Sequence, residues 1–413
     1  MNRLLRAGDD DRGAILVHTA IALLALVAFT TFVADYGVFW ASRRQAQNSA
    51  DAAALAGAVA LAFDNAADLS DTGPAKESAF AESQRNFIFG QPPDVQHTDI
   101  SFGTCPDGSA NCIRVDVYRS AQRGNPLPMF FGYFVGLTSQ SVQATATAEV
   151  HYDNASDCLK PWAVIDKWDE HWPDDPAPWT TDSTYDRYDK KGNPDPSITT
   201  PDVYIPPSEE SFGTGFHPYE ADGVTYTSDY GRRLALKVGN AGTDWDYAAG
   251  WFSALNLFDS RGGNDYRNNI KGCIGVTYKI GDELPIDTAP GNKVGPTSQA
   301  TATDTDSLIN QDPGAYWDTS LNGGRGGVAG SAFPSSPRIV AIPLVNPDAM
   351  ILANKNGLAT VPLANIAGFF VDSYDNSSKS VIGYLVTMQG KYVPGGGAPG
   401  PGGTFLRSIQ LVR

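Results

Sequence analysis

The dominant feature of the hydrophobic pattern is an uncharged apolar run from Ala14 to Ala34. As an α-helix rising about 1.5 Å per residue, this run is about 30 Å long, which is the thickness of the hydrocarbon core of a bilayer. Alanine-rich sequence follows, and no proline occurs before Pro74, so the helical pattern continues past the run. The sequence therefore predicts one helix of about 50 residues, the first half in lipid and the second half in water.

The water-exposed half of this helix carries its own packing pattern. Leu55, Val59 and Phe63 recur every four residues and predict an apolar stripe. Ala53 and Gly57 share this spacing and are small enough to let a neighbouring helix approach closely. A neighbouring subunit and the protein's own sheet are both suitable partners for this surface, and the pattern does not choose between them.

The residues around the run resemble a known family. Residues 12–58, RGAILVHTAIALLALVAFTTFVADYGVFWASRRQAQNSADAAALAGA, closely resemble the N-terminal segment of TadE/TadG-like proteins of the Flp (tight-adherence) pilus assembly system. The shared features are RG before the run, Asp35-Tyr36-Gly37 at its end, and RRQAQNSADAAALAGA after it. Residues 123–150, RGNPLPMFFGYFVGLTSQSVQATATAEV, resemble TadG-like proteins more weakly; in those proteins an aromatic-rich connector likewise precedes a small-residue strand that ends in Ala-Glu.

The resemblance implies a non-enzymatic, membrane-anchored component of pilus assembly, either an assembly factor or a minor-pilin-like protein. Its expected partners are other Tad/Flp pilus-assembly or pilin-like proteins and the bacterial inner membrane. A membrane-anchored surface adhesin or carbohydrate-binding module is the alternative. Some TadG-like proteins carry a von Willebrand A domain, but D-x-S-x-S after an apolar strand, which its metal site needs, does not occur in this sequence.

The rest of the pattern predicts an α+β protein in four parts: a cytoplasmic tip (1–13), a transmembrane helix (14–34), a pilin-like α+β domain (35–153) and a β-rich domain with long loops (154–413). In the pilin-like domain we expect a helix over Ala75–Phe89 and an apolar connector, with a short helix, over Asn125–Gly136. Alternating apolar residues predict strands at Asn111–Arg119 and Ser141–Tyr152.

In the β-rich domain, short apolar runs between turn residues are compatible with a β-sandwich. The predicted strands are Gly223–Thr227, Leu234–Val238, Gly272–Lys279, Arg338–Pro343, Ile366–Val371, Val381–Met388 and Thr404–Val412. Gly291–Gly330 is expected to be a long polar connection. The glycine-rich stretch Gly395–Gly403 is expected to join the last two strands as a hairpin.

Charge and cysteines indicate the compartment. The net charge is -16, and the acidic excess lies beyond residue 44, which disfavours nucleic acid and anionic lipid as ligands of the soluble part.

The four cysteines all follow the apolar run. A turn-rich loop favours a Cys105–Cys112 disulfide, and elimination leaves Cys158–Cys273, although four cysteines allow three pairings. Disulfides fit an oxidising space, so we expect a single-pass inner-membrane protein with a cytoplasmic N-terminus and a periplasmic body.

No catalytic motif is present, and the sequence predicts neither an enzyme nor a cofactor or metal requirement. The oxygen-rich stretches Asp182–Asp195 and Asn240–Asp246 offer ligands for Ca²⁺, but solvated turn carboxylates are the commoner meaning of such sequences. Trp162, Trp168, Trp172 and Trp179 offer a sugar platform, with core packing as the commoner alternative.

The start of the chain differs from that of a processed pilin. In Flp-type pilins, a peptidase cuts after a glycine, and a Glu-Tyr pair follows after about four further residues. Here Gly13 is the candidate glycine, and His18 and Thr19 stand at the matching positions. Without the carboxylate, the charge of a new N-terminal amine would be left unpaired in an apolar interface. We therefore expect an uncleaved chain.

The position of the membrane span can be tested with one substitution. Leu24→Arg puts a charge at mid-span, which costs about 2.5–3.5 kcal/mol on insertion scales, and should impair membrane integration in a carbonate-extraction assay. Lys191→Ala, far from the run, should leave integration unchanged. Full integration of the Leu24→Arg protein would mean that the span lies elsewhere.

Overall fold

A computed structural model describes residues 11–103, 105, 111–174, 177–208, 211–219, 229–239, 247–257, 263–273, 275–286, 294–356, 359–395 and 403–412. The helices are α1 (Asp11–Phe63), α2 (Pro74–Arg85), α3 (Gly263–Lys271), α4 (Val294–Ile309), the single turn α5 (Leu321–Gly324) and α6 (Pro347–Asn356).

Most of the strands are short. They are β1 (Ile100–Gly103), β2 (Cys112–Arg119), β3 (Leu127–Pro128), β4 (Ser139–Gln140), β5 (Val142–Tyr152), β6 (Ala155–Ser156), β7 (Trp162–Ile165), β8 (Arg233–Val238), β9 (Trp251–Ala254), β10 (Tyr278–Lys279), β11 (Glu283–Pro285), β12 (Tyr316–Asp318), β13 (Gly327–Ala329), β14 (Ile339–Val345), β15 (Thr360–Asp375), β16 (Ser380–Val386), β17 (Met388–Gln389) and β18 (Leu406–Val412).

The chain forms two compact units. Unit 1 contains residues 1–58, 70–149 and 411–413, and unit 2 contains residues 59–69 and 150–410. Helix α1 therefore supplies residues to both units, as does strand β5. The two units are described separately below.

Unit 1 combines the water-exposed part of α1 with an antiparallel sheet. β2 pairs with β1 on one side and with β5 on the other, in registers that place Val115 opposite Ile100 and Ala146. Small residues of α1 are completely buried, namely Ala46, Ser49, Ala50, Ala53, Ala54 and Ala58. Ser49 Oγ lies 3.3 Å from the Ser83 carbonyl oxygen of α2, to which it donates a hydrogen bond. This helix face is buried through small residues because its neighbours lie very close.

Gly57 marks the closest approach. A Cβ at this position would overlap the Ile113 side chain of β2 and would lie 3.1 Å from both the Ala75 carbonyl oxygen and the Ala79 Cβ of α2. Glycine is therefore needed here for space, since its backbone conformation is helical. At Gly37, twenty residues earlier in α1, an added Cβ would meet no heavy atom within 4 Å.

Unit 2 is built around a closed β-barrel. Its six strands follow the order β7, β14, β15, β16, β8, β9, and β9 pairs back with β7. The long strand β15 allows the closure, because it pairs with β14 on one edge and β16 on the other. Phe370, for example, lies opposite Ile339 on β14 and Tyr384 on β16. β11 adds to the first part of β15.

The barrel interior follows from the two-residue period of its strands. Alternate residues converge in one buried cluster: Trp162 and Val164, Leu234 and Leu236, Val340, Ile342 and Leu344, and Ala367, Phe369 and Val371. The intervening residues belong to other clusters or reach the surface; Ala163, Ala341 and Val345 form part of a second core on the outside of the strands. Residues of α3 and α4 extend the inner cluster through Tyr266 and Leu308.

The mixed α+β fold, the long helix and most of the predicted strands are confirmed. The helix predicted over Ala75–Phe89 ends at Arg85. The connector at Asn125–Gly136 holds β3 and a 3-10 turn, Gly132–Val135, where a short helix was expected. The predicted Gly223–Thr227 strand and part of Gly395–Gly403 lie outside the described residues.

Three predictions for the β-rich domain are wrong. The barrel replaces the expected sandwich, because β15 is long enough to pair on both edges. The supposed polar connection Gly291–Gly330 contains α4, whose threonine-rich sequence has a weak helical signal. The last strands form no hairpin, since β18 pairs in parallel with β17. A further prediction is met only in part: α3 ends at Lys271, and of the strand predicted over Gly272–Lys279 only Tyr278–Lys279 forms a strand among the described residues.

The close packing at Gly57 can be tested by substitution with valine. Gly57→Val should lower the free energy of unfolding by about 1–3 kcal/mol, the usual cost of overpacking. The measurement is thermal unfolding of the full chain in detergent. Gly37→Val is the matched control, since the substitution is the same and the site is open. Equal unfolding midpoints for the two variants would contradict the packing described here.

Candidate functional site at the end of the apolar run

Asp35 is the first charged residue after the apolar run and is buried, with 6% of its surface exposed. Its carboxylate accepts hydrogen bonds from three consecutive backbone N–H groups, of Phe130 at 2.8 Å, Phe131 at 3.1 Å and Gly132 at 2.8 Å. Gln140 Nε2 lies 3.3 Å from its carbonyl oxygen. Successive N–H groups directed at one anion form a nest, and bonds to a charged acceptor are roughly twice as strong as neutral ones.

The segment that binds Asp35 is a closed loop, residues 129–138, here called the aromatic loop. β3 and β4 pair at its base, with Leu127 opposite Gln140 and Pro128 opposite Ser139. Gly132 sits in a crowded position, because a Cβ there would overlap the Met129 side chain. The base pairing and the tight turn together hold the three N–H groups in place for the carboxylate.

The aromatic loop exposes large side chains beside the end of the apolar run. Phe130, Tyr133 and Leu137 are each more than half exposed. Tyr36 and Trp40, one turn apart on α1, are also exposed, and their ring centroids are 6.1 Å apart. Aromatic side chains are enriched where a bilayer meets water. This surface therefore has the aromatic composition that is typical of such interfaces, and it lies beside the end of the apolar run.

A second loop of unit 1, which contains Phe89, extends this surface. Phe89 has a positive φ of 47° and its N–H donates to Gln45 Oε1 of α1 at 2.7 Å. The buried Arg119 guanidinium donates to the carbonyl oxygens of Ile88 and Phe89. The rings of Phe89 and Phe130 meet edge to face, with centroids 6.2 Å apart. Two loops, each fixed to α1 by a polar side chain of the helix, thus present one aromatic surface.

These features describe a protein with one candidate membrane anchor and a body fixed close to it. In the part of the chain that the structure describes, one helix is long and apolar enough to cross a membrane, and its apolar window is not buried within the protein. Residues 13–60 match the family model Tad, described as putative Flp pilus-assembly TadE/G-like. The chain thus carries a TadE/G-like pilus-assembly segment, which includes Asp35, Gln45 and Gly57. No curated protein and no solved structure matches the chain.

The four predicted helix-packing residues have different surroundings. Ala53 and Gly57 are buried in unit 1, and Gly57 faces the protein's own β2 and α2. Leu55 is half-buried. Val59 is 49% exposed and, with Phe63, lines a cavity of about 660 Å³ in unit 2. The small-residue pair therefore contacts the chain's own fold.

Both predicted disulfides are present. Cys105 and Cys112 are joined with a Cα–Cα distance of 5.2 Å, and Cys158 and Cys273 with a distance of 4.4 Å. Beside the second bridge, Lys160 Nζ donates to carbonyl oxygens at the end of α3, and burial lowers the pKa of Lys160 to about 7. The long-range disulfide and this lysine join the start of the barrel to α3.

Three of the four tryptophans proposed as a sugar platform serve packing. Trp162 and Trp168 are completely buried, and Trp179 meets Trp168 and Phe216 edge to face, with centroids 5.9 and 5.4 Å away. They therefore offer no shared exposed surface to a sugar; Trp172 is half-buried.

The two oxygen-rich stretches have different outcomes. In Asp182–Asp195, Asp189 accepts hydrogen bonds from the backbone N–H groups of Lys191 and Asn193, as a solvated turn residue does. Asn240–Asp246 lies outside the described residues.

From the sequence, Asp35 was recognised as part of a family motif and the aromatic loop as part of an apolar connector. The hydrogen bonds between the loop N–H groups and the Asp35 carboxylate were not predicted. The available signal was a lone carboxylate directly after an apolar run, which must find donors if it is buried. The sequence contains no indication of which donors these are, since they lie 95 to 97 residues further along the chain.

The Asp35 nest can be tested by Asp35→Asn, which keeps the size of the side chain but removes the charge and one acceptor. Losing hydrogen bonds to a charged group costs about 1.5–3 kcal/mol, so amides in the aromatic loop should exchange with deuterium on the order of tenfold faster. Asp51→Asn is the control, because Asp51 accepts from Gln47 within α1 and should not affect the loop. Unchanged exchange in the Asp35→Asn protein would show that the nest does not fix the loop.

Proposed function

We propose that the protein is a non-enzymatic, membrane-anchored component of a Flp/Tad-type pilus assembly system. The observation that carries this proposal is the TadE/G-like match over residues 13–60. That stretch combines the candidate membrane span with the helix face that packs in unit 1. It is thus the part of the chain that would link the membrane to a folded body.

The proposed topology places the N-terminus in the cytoplasm and the body in the periplasm. Two disulfides support it, since all four cysteines follow the span and disulfides persist in oxidising compartments. The arrangement of unit 1 supports it as well. The Asp35 nest and the exposed Phe130 and Tyr133 of the aromatic loop suit a body that rests on the membrane surface.

Pilus-assembly or pilin-like proteins are the proposed partners, contacted in two places. The apolar run from Ile15 to Val33 exposes its large side chains and is available to other membrane helices. Ala53 and Gly57 are already buried in the chain's own fold, so partners in the periplasm would use the outer surfaces of the units. Both contacts are protein-protein contacts and require no catalysis.

The proposal can be tested by purifying the tagged full-length chain from its bacterium after mild cross-linking. We expect Tad/Flp pilus-assembly proteins to copurify and surface pili to be lost when the gene is deleted. A chain with residues 14–34 replaced by an unrelated apolar helix is the matched control, and it should stay in the membrane but lose the partners that contact the span.

Normal pili after deletion, with no Tad/Flp protein among the copurified partners, would contradict the proposal. Specific binding of the body to a glycan array under those conditions would instead support the adhesin alternative.

A further inference from the structure

A second candidate site lies in unit 2, where three loop segments place acidic side chains together. One carboxylate oxygen each of Glu170, Asp186 and Asp202 lies within 4.8 Å of the other two. All three residues lie in the long connection between β7 and β8, and Glu170 is the nearest of them to the end of β7. Asp186 belongs to the oxygen-rich stretch recognised in the sequence, whereas Glu170 and Asp202 do not.

The backbone holds two of these residues in fixed positions. Asp202 Oδ1 accepts from the His171 N–H at 2.8 Å, and its Oδ2 accepts from the Asp186 N–H at 2.7 Å. The Asp202 N–H donates in return to the Asp186 carbonyl oxygen at 3.1 Å. The Thr184 hydroxyl donates to Asp186 Oδ2 at 3.0 Å. The carboxylates are therefore arranged in advance by groups that would remain bonded if a ligand bound.

Glu170 differs from its neighbours because one of its buried carboxylate oxygens accepts no hydrogen bond. Only 8% of its surface is exposed, and its Oε2 atom is buried and accepts no hydrogen bond. A buried carboxylate oxygen normally has a partner, because desolvation without one is costly. This unpartnered oxygen belongs to a side chain that lies within ligand distance of two other carboxylates.

Neither Glu170 nor Asp202 forms an ion pair with a lysine, arginine or histidine among the described residues. Arg187 donates to the Asp202 carbonyl oxygen, and its ion pair is with Asp348. Burial, the largest cause, raises the pKa of Glu170 to about 7 and also raises that of Asp202.

We propose that Glu170, Asp186 and Asp202 form a binding site for a hard divalent cation of the Ca²⁺ class. Three carboxylates supply only oxygen ligands, which suits Ca²⁺ better than a transition metal that prefers nitrogen or sulfur. Ca²⁺ also accepts irregular geometry and further water or carbonyl ligands, whereas Mg²⁺ demands a near-ideal octahedron. The bound ion would neutralise the buried charges and join the three loop segments to one another and to the end of β7.

The main competing explanation is a proton shared between Glu170 and Asp202. Such a proton also removes one buried negative charge, and it satisfies one oxygen of each residue. It differs from the metal site in an observable way, because a protonated pair binds no Ca²⁺ and its stability does not respond to added Ca²⁺.

The test uses the full chain in detergent, stripped of metal with a chelator and titrated with CaCl₂ by calorimetry. We expect one Ca²⁺ per chain, with a dissociation constant on the order of 10⁻⁴–10⁻³ M, as in extracellular modules. Ca²⁺ should also raise the thermal unfolding midpoint. Tb³⁺ should bind at the same site and show luminescence sensitised by Tyr185, next to Asp186.

Matched variants locate the site. Glu170→Gln keeps the shape of the side chain but removes its charge, and should weaken Ca²⁺ binding at least about tenfold. Asp186→Asn, at a half-buried position, should weaken it similarly and serves if the Glu170 variant does not fold. Asp189→Asn, a solvated carboxylate in the same loop, should bind like the wild-type protein.

Two results would overturn the proposal. The first is the absence of saturable Ca²⁺ binding and of any Ca²⁺-dependent shift in the unfolding midpoint of the wild-type chain, which is the outcome expected for a shared proton. The second is equal Ca²⁺ affinity in the wild-type, Glu170→Gln and Asp186→Asn proteins, which would place the ion elsewhere.

Discussion

The contact between the Asp35 carboxylate and three backbone N–H groups is the interaction on which the architecture at the end of the apolar run depends. A carboxylate directly after an apolar run must be hydrated or bonded, and here consecutive N–H groups of the aromatic loop provide the bonds. The loop in turn gains a fixed position beside α1. One polar contact therefore determines both where the apolar segment ends and which aromatic side chains lie beside that end.

A second constraint acts further along the same helix. α1 is one continuous element, but its two halves have opposite requirements: large apolar side chains face outward in the first half, and small residues are buried in the second. The alanines and Gly57 allow α2 and β2 to approach the helix backbone closely. Alanine also favours the helix itself, so the same residue type provides both the propensity and the close packing.

The features that could be predicted from sequence are those with a local signal. The apolar run, the alanine-rich continuation and the alternation of Ile113, Val115 and Val117 each determine their own element. The barrel could not be predicted, because its closure depends on which strands pair with the two edges of β15, and no local pattern specifies that pairing. α4 was missed because its threonines are weak helix formers.

The same limit applies to the candidate sites. The two disulfides could be predicted because cysteines are few and one pair is close in sequence. Asp35 could be recognised as unusual, but its donors could not be identified. Of the carboxylate cluster, only Asp186 lies in a stretch with a visible oxygen-rich pattern, and Glu170 and Asp202 join it only through the folding of the long connection between β7 and β8.

The path of the chain through unit 2 has a consequence for how this protein could have evolved. The Asp153 N–H donates to the Leu406 carbonyl oxygen at 3.1 Å, and the Thr404 hydroxyl donates to the Asp153 carbonyl oxygen at 3.0 Å. The chain thus returns to unit 2 near residue 150 and leaves it near residue 410 side by side, a closeness of ends that also permits the insertion of one domain into another. Such a module can be exchanged without lengthening or breaking the host chain. This accords with a family match that is confined to residues 13–60 and does not extend to the barrel.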